Sequence, residues 1–218
     1  MPRLLFEKTG NAIWISHLDL MRVFQRVFKR AGLPLTHTQG FNPRPSVSIA
    51  LPLSVGVESQ CELLDFDLDN MSVSCEEIKK RLNDALIEGV HVLDVYENGR
   101  KIKELALLRC VLELEYDAGV PEGAVDALRK LFASDSLAVE KKGKNGITQQ
   151  DIIPMIRKID VREGEREITL ETVICCQNPS LNPMQLSAAI SVYAPDFVPD
   201  FVKCRRLELY DTNEEIFR

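Results

Sequence analysis

Residues 1–98 read as strand, helix, strand, strand, helix, strand, and residues 106–218 read in that order a second time. Both readings rest on helix stripes at steps of three and four, on alternating strands, and on serine, glycine and proline stops between them. Together they predict an α+β fold of two tandem ferredoxin-like (βαββαβ) units, each an antiparallel sheet covered by helices on one face. The repeat is one of pattern and not of residue identity, and the polar, charged stretch ENGRKIKE connects the two units.

The first unit opens with a strand over residues 3–8 (RLLFEK). A helix over residues 17–31 follows. Ser16 can accept from the amide of Asp19 and Asp19 can return a bond, while Gly32 and Pro34 stop the helix. Leu18, Met21, Phe24, Val27, Phe28 and Ala31 form its apolar stripe, and Arg22, Arg26, Lys29 and Arg30 form the opposite, cationic face. Residues 35–38 and 47–50 are extended, with a loop over residues 40–45 between them. In residues 61–68 the apolar Leu64, Phe66 and Leu68 alternate with Asp65 and Asp67, the pattern of a half-buried strand. A second capped helix, begun by Ser74 and Glu77, turns Ile78, Leu82, Ala85 and Leu86 inward before Gly89 ends it, and a strand over residues 90–95 completes the unit.

In the second unit, residues 110–116 alternate as a strand and residues 121–132 are a helix with Val125, Leu128 and Phe132 inward. Residues 137–141 form the next strand, a basic turn leads into residues 149–158, and the β-branched run 168–175 is a strand. Asn182 caps and Pro183 starts a helix that buries Leu186, Ile190 and Tyr193; residues 206–210 are the last strand.

The composition, 45% hydrophobic and 28% charged, is that of an ordinary globular chain. No apolar run approaches the ~20 residues of a membrane helix, and Glu7 and Lys8 interrupt the N-terminal apolar run, so a cytoplasmic protein is expected. The six cysteines lack the spacing of a zinc site or an iron–sulfur loop and read as reduced core residues; no cofactor is expected. Phosphate-loop, dinucleotide-binding and nucleophile-elbow motifs are absent, and the alternating acids read as the solvent face of a sheet, so no catalytic set emerges.

The net charge of -6 argues against a general nucleic-acid binder, but it is unevenly spread. Residues 1–60 hold seven Lys/Arg against three acids, or +4, leaving -10 for the rest. A local electropositive surface is therefore expected.

Three groups of residues are candidates. Pro43 and Pro45 pre-extend the loop and make Arg44 project, while Phe41 and Asn42 add a ring and an amide; with the cationic helix this suits phosphate, base or peptide. The alternative for Phe41 is a core ring. His17, at a helix N-terminus, and His37, on the following strand, could serve acid–base chemistry on RNA, although histidines in such places more often only hydrogen-bond. Lys141, Lys142 and Lys144 form a basic turn suited to an anion or simply to solubility.

The run from Leu4-Leu5-Phe6-Glu7-Lys8-Thr9-Gly10 through Ser16-His17-Leu18-Asp19, Arg30-Ala31-Gly32-Leu33-Pro34, Gly40-Phe41-Asn42-Pro43-Arg44-Pro45 and Ala50-Leu51-Pro52-Leu53 to Gly56-Val57-Glu58-Ser59 resembles the radical-SAM-linked protein family of bacteria. The resemblance is close over roughly the first 70 residues and implies a partner, a cobalamin-binding radical SAM enzyme, often encoded near RNA-processing and ribosomal-protein genes. An accessory that binds or positions RNA or a ribosomal particle for that enzyme is the resulting expectation. The alternatives are a protein-interaction module without RNA contact and a metal-independent RNA endonuclease. The strand order also resembles the scaffold of CRISPR-associated RNA-processing endonucleases, but their late glycine-rich loop is missing where this chain reads VPDFVK.

Overall fold

Strand β1 (Arg3–Lys8) is followed by a short 3-10 turn and then by α1 (His17–Arg30) in the computed structural model, which describes residues 1–69, 72–143 and 146–218 apart from the side chains of 142 and 143. Ser16 caps α1 as expected: its hydroxyl accepts from the Asp19 amide at 3.2 Å and donates to the Asp19 carboxylate at 2.7 Å. The buried stripe is Leu20, Phe24, Val27 and Phe28. Leu18, expected in that stripe, is 68% exposed. Two residues rotate a helix by about 200°, so burying Leu20 forces Leu18 outward.

The chain divides into two compact units, Met1–Ile102 with Arg218, and Lys103–Phe217. In the first, α1 leads to β2 (Val47–Ile49) and β3 (Val57–Phe66), and α2 (Cys75–Ala85) leads to β4 (Val90–Tyr96). The strand order is β4-β1-β3-β2 and every neighbouring pair is antiparallel. Leu4 and Phe6 of β1, Leu64 and Phe66 of β3, and Val92 of β4 share one core with Phe24 and Phe28 of α1 and Ile78 and Leu82 of α2. Two ring contacts tie α1 to that core: Phe6 meets Phe24 edge-on at 4.8 Å, and Phe28 meets Phe66 at 5.0 Å. Residues 35–38, expected as a strand, instead make isolated bridges, Leu35 with Leu68 and His37 with Pro45. The two prolines that follow withhold the amides that a longer ladder would need.

The second unit runs β5 (Leu107–Glu115), α3 (Ala124–Phe132), β6 (Ala138–Gly143), β7 (Gly146–Asp151), β8 (Ile156–Glu163), β9 (Glu167–Cys175), α4 (Met184–Tyr193) and β10 (Phe201–Tyr210). Its sheet order is β10-β5-β9-β8, again antiparallel throughout, while β6 and β7 pair with each other as a separate ribbon. This corrects the expectation that residues 137–141 supply the second strand of the sheet. That place belongs to β8, a largely exposed edge strand whose charged sequence, IRKIDVRE, hides the alternation that betrays a half-buried strand. Asp151 fixes the exit from the ribbon, its carboxylate accepting from the amides of Leu137 at 2.9 Å and Ile153 at 3.1 Å. Asn182 does cap α4, accepting from the Met184 amide at 3.0 Å, but Tyr193, expected inward, is 46% exposed. Its hydroxyl donates to the carbonyl of Ala138 at 2.9 Å. Of the six cysteines, Cys61, Cys110, Cys175 and Cys204 are buried, and Cys75 and Cys176 partly so.

Replacing Phe24 by Ala removes a wholly buried ring and its edge contact, so urea denaturation should record a loss of about 3–5 kcal/mol. The amides of Leu137 and Ile153 hold the Asp151 carboxyl below its ordinary value of 3.8. A depressed carboxylate stabilises the fold above its unfolded value and ceases to do so as pH falls through the folded one. The melting-temperature gap between the native chain and Asp151→Asn should accordingly be full at pH 6 and close as pH drops below 3.8.

Candidate functional site

Because the aromatic face of α1 is anchored in the core, the helix surface opposite it is turned to solvent. Arg22, Arg26, Lys29 and Arg30 are all exposed there, at spacings of three and four that make them neighbours on one face. Two are engaged locally. Arg22 pairs with Asp19 at 2.7 Å, and Arg30 donates from Nη2 to the carbonyl of Ala85, the last residue of α2, at 2.6 Å. The side chains of Arg26 and Lys29 make no hydrogen bond or ion pair among the described residues. Arg26, Lys29 and Arg30 line a shallow hollow of about 340 Å³ with Val23 and Ile87.

A second concavity, a groove of about 440 Å³, lies beside the C-terminal end of the same helix. Pro34 and the half-buried Pro45 give it its accessible apolar surface, above the buried Phe28, Leu33 and Leu35, and Gln25, Lys29 and His37 are its polar members. Lys29 borders both the groove and the hollow. Gly32 forms part of the wall with a φ of +67°, the left-handed conformation that ends α1 and lets the chain turn back along it.

The loop beyond His37 is pinned at its base. The Thr38 amide donates to the Arg44 carbonyl at 2.9 Å, and the Arg44 amide returns a bond to the Thr38 hydroxyl at 3.0 Å. One step further in, the Ser46 amide donates to the Thr36 carbonyl at 2.8 Å, and Thr36 Oγ1 donates to the Asp67 carboxylate at 2.9 Å. At the tip, Phe41 is fully exposed, at 111% of its reference area, with Asn42 and Arg44 exposed beside it. The ring is therefore not part of the core.

The candidates do not all converge. His17 opens α1, with its Nδ1 buried and without a hydrogen-bond partner among the described residues, whereas His37 lines the groove at the other end. The length of the helix, roughly 20 Å, stands between them. They cannot share one acid–base step. Lys141 belongs to the second unit, where its ammonium donates to the Ser180 carbonyl at 3.2 Å; the Lys142 side chain and Lys144 lie outside the described residues. Missed by the sequence reading were the groove walls Gln25, Leu33, Pro34 and Leu35. The signal was present in the Gly32-Leu33-Pro34 stop, which turns apolar residues back against the helix.

The second unit offers a contrasting cluster. Arg109 and Arg162 both hydrogen-bond to Glu171, Arg162 also meets Asp160 at 2.5 Å, and Lys158 pairs with Glu214. The Arg109 hydrogen bond holds the Glu171 carboxyl below its usual range. These cations are matched by acids, so the cluster binds itself. Arg26 and Lys29 are not so matched. Among the described residues no three His, Cys, Asp or Glu side chains gather where a metal ion could be held, and no helix is long and apolar enough to cross a membrane.

Residues 2–183 match the family described as an uncharacterized protein conserved in bacteria, DUF2344, and the chain belongs to that family. No curated protein matches it. Among solved structures it is similar to a chain of a Cbf5-Nop10-Gar1 complex, with a TM-score of 0.51 at 10% identity over 95% of this chain and 48% of that one. A chain of the archaeal box H/ACA sRNP Nop10-Cbf5 complex matches with a TM-score of 0.43 at 9% identity, over 94% of this chain and 46% of that one. The protein thus spans about half the length of these two solved chains. The first likeness establishes a shared α+β fold.

Phe41→Ala removes a side chain that touches nothing, so its unfolding free energy should stay within about 0.5 kcal/mol of the native value in a denaturant titration.

Proposed function

We propose that this protein is a non-catalytic accessory that binds RNA, or positions an RNA or ribonucleoprotein substrate, through the first unit. The observation that carries the reading is the unmatched pair Arg26 and Lys29, solvent-exposed beside Arg30 and the bare loop of Phe41, Asn42 and Arg44, in a chain whose net charge is -6. Like charges one turn apart repel, and each lacks an acid to relieve it. An anion supplies that relief, and phosphates supply it in a row. Both units are read as split βαβ, ferredoxin-like modules, supported by the orders β4-β1-β3-β2 and β10-β5-β9-β8, with β6 and β7 inserted in the second.

The enzyme that this accessory serves is, in the same proposal, a cobalamin-binding radical SAM enzyme in the cytoplasm. Support comes from the resemblance of residues 4–59 and from cysteines spaced unlike those of an iron–sulfur loop. The division of labour puts the radical chemistry on the partner and substrate contact on this chain. Lys141, Lys142 and Lys144 are a subsidiary anion contact.

The double variant Arg26→Glu/Lys29→Glu should release RNA that co-purifies with the native protein and flatten the salt dependence of the remainder. For single strands the slope falls by ~0.7 per lost contact, so roughly 1.4 for both. Unchanged RNA retention in the double variant at low salt overturns the reading. Nuclease treatment separates it from a pure protein-interaction module: an enzyme partner that stays bound after RNA digestion, and is lost in the double variant, places the ridge against protein instead.

A further inference from the structure

We infer that the RNA met by the first unit is single-stranded, with one base entering the groove beside the end of α1, its phosphates on Arg26, Lys29 and Arg30, and a neighbouring base stacked on Phe41. This rests on the RNA reading above and specifies its substrate. A duplex offers phosphates on the outside and keeps its bases stacked within, so charge alone would suffice to hold it. The ridge here is joined to two features for which a duplex has no use.

One is the groove. Its volume of about 440 Å³ falls within the ~300–1,000 Å³ of small-ligand sites. Pro34 and Pro45 offer the apolar surface that a base plane requires, and the Gln25 amide in the same wall can both donate to and accept from a base. Lys29 borders both this groove and the cationic hollow, so a nucleotide with its base in one has its phosphate beside the other. Charge complementarity and apolar surface are thus adjacent, the pairing that unstacked strands need.

The other is Phe41. A ring with nothing beside it contributes nothing to the fold, yet its loop is held at the base by the bonds of Thr38, Arg44, Thr36 and Ser46. That anchoring makes the ring a preformed platform, which lowers the entropy lost on stacking. Phe41 lies four positions from both His37 and Pro45 in the groove wall, so its backbone stands at most ~14 Å from theirs. One strand can reach both.

The test measures fluorescence anisotropy of the full-length protein with a labelled oligouridylate and with an RNA duplex of equal length, at one low salt concentration. The single strand should bind at least tenfold more tightly. Phe41→Ala and Phe41→Leu should weaken it by about tenfold, Phe41→Tyr should not, and none of the three should move the duplex. Gln25→Phe, which fills the groove from a half-exposed helix position, should weaken the single strand selectively while thermal melting shows an intact fold. Equal or tighter duplex binding, or single-strand binding indifferent to both Phe41→Ala and Gln25→Phe, overturns the inference; loss of both probes in Arg26→Glu/Lys29→Glu alongside would leave the RNA reading standing. Failure of the native protein to bind either probe overturns both.

Discussion

The interlocked rings of Phe6, Phe24, Phe28 and Phe66 are the contact on which the candidate site depends. They bring α1 down on the sheet at two points along its length and so remove its freedom to roll. With the buried side set, every other residue of the helix has an assigned direction, because 3.6 residues per turn leave no alternative. The cationic ridge is exposed as a consequence of core packing, and its positions at steps of three and four make it continuous.

The same packing creates the groove. Helix α1 ends at Gly32, whose positive φ reverses the chain, and Leu33 and Leu35 are then buried alongside Phe28. Apolar residues that close the helix end leave an apolar wall beside it, and the Thr36 and Asp67 bonds hold the returning chain in place. Charge and apolar surface meet at Lys29 because one helix supplies both. No loop closure is needed to assemble them.

Contrast within the molecule sharpens the meaning of the ridge. Arginines on the second unit are drawn into Glu171 and Asp160, and Arg3 in the first is buried against Asp65 at 2.6 Å. Such pairs satisfy their own hydrogen bonds and hold sheets together. Arg26 and Lys29 serve no such purpose, and a protein with more acids than bases has had every means to neutralise them. Their side chains are left facing solvent.

The sequence by itself determined the elements with strong local signals. The Ser16 cap, the stripe through Phe24, Val27 and Phe28, the alternation around Leu64 and Phe66, and the cationic face were legible because each is written in neighbours a few residues apart. Where the signal was long-range the sequence was silent or misleading. Leu18 fitted the stripe as well as Leu20 did, and only the sheet below decided between them. Strand β8 was hidden because an exposed edge carries charges on both faces, although it pairs with β9, the strand that directly follows it. The Gly32-Leu33-Pro34 stop marked the reversal, but which residues meet beside Lys29, and how far His17 stands from His37, arise where the chain folds back on itself. Spacing along a chain does not encode that, so tertiary structure alone decided them.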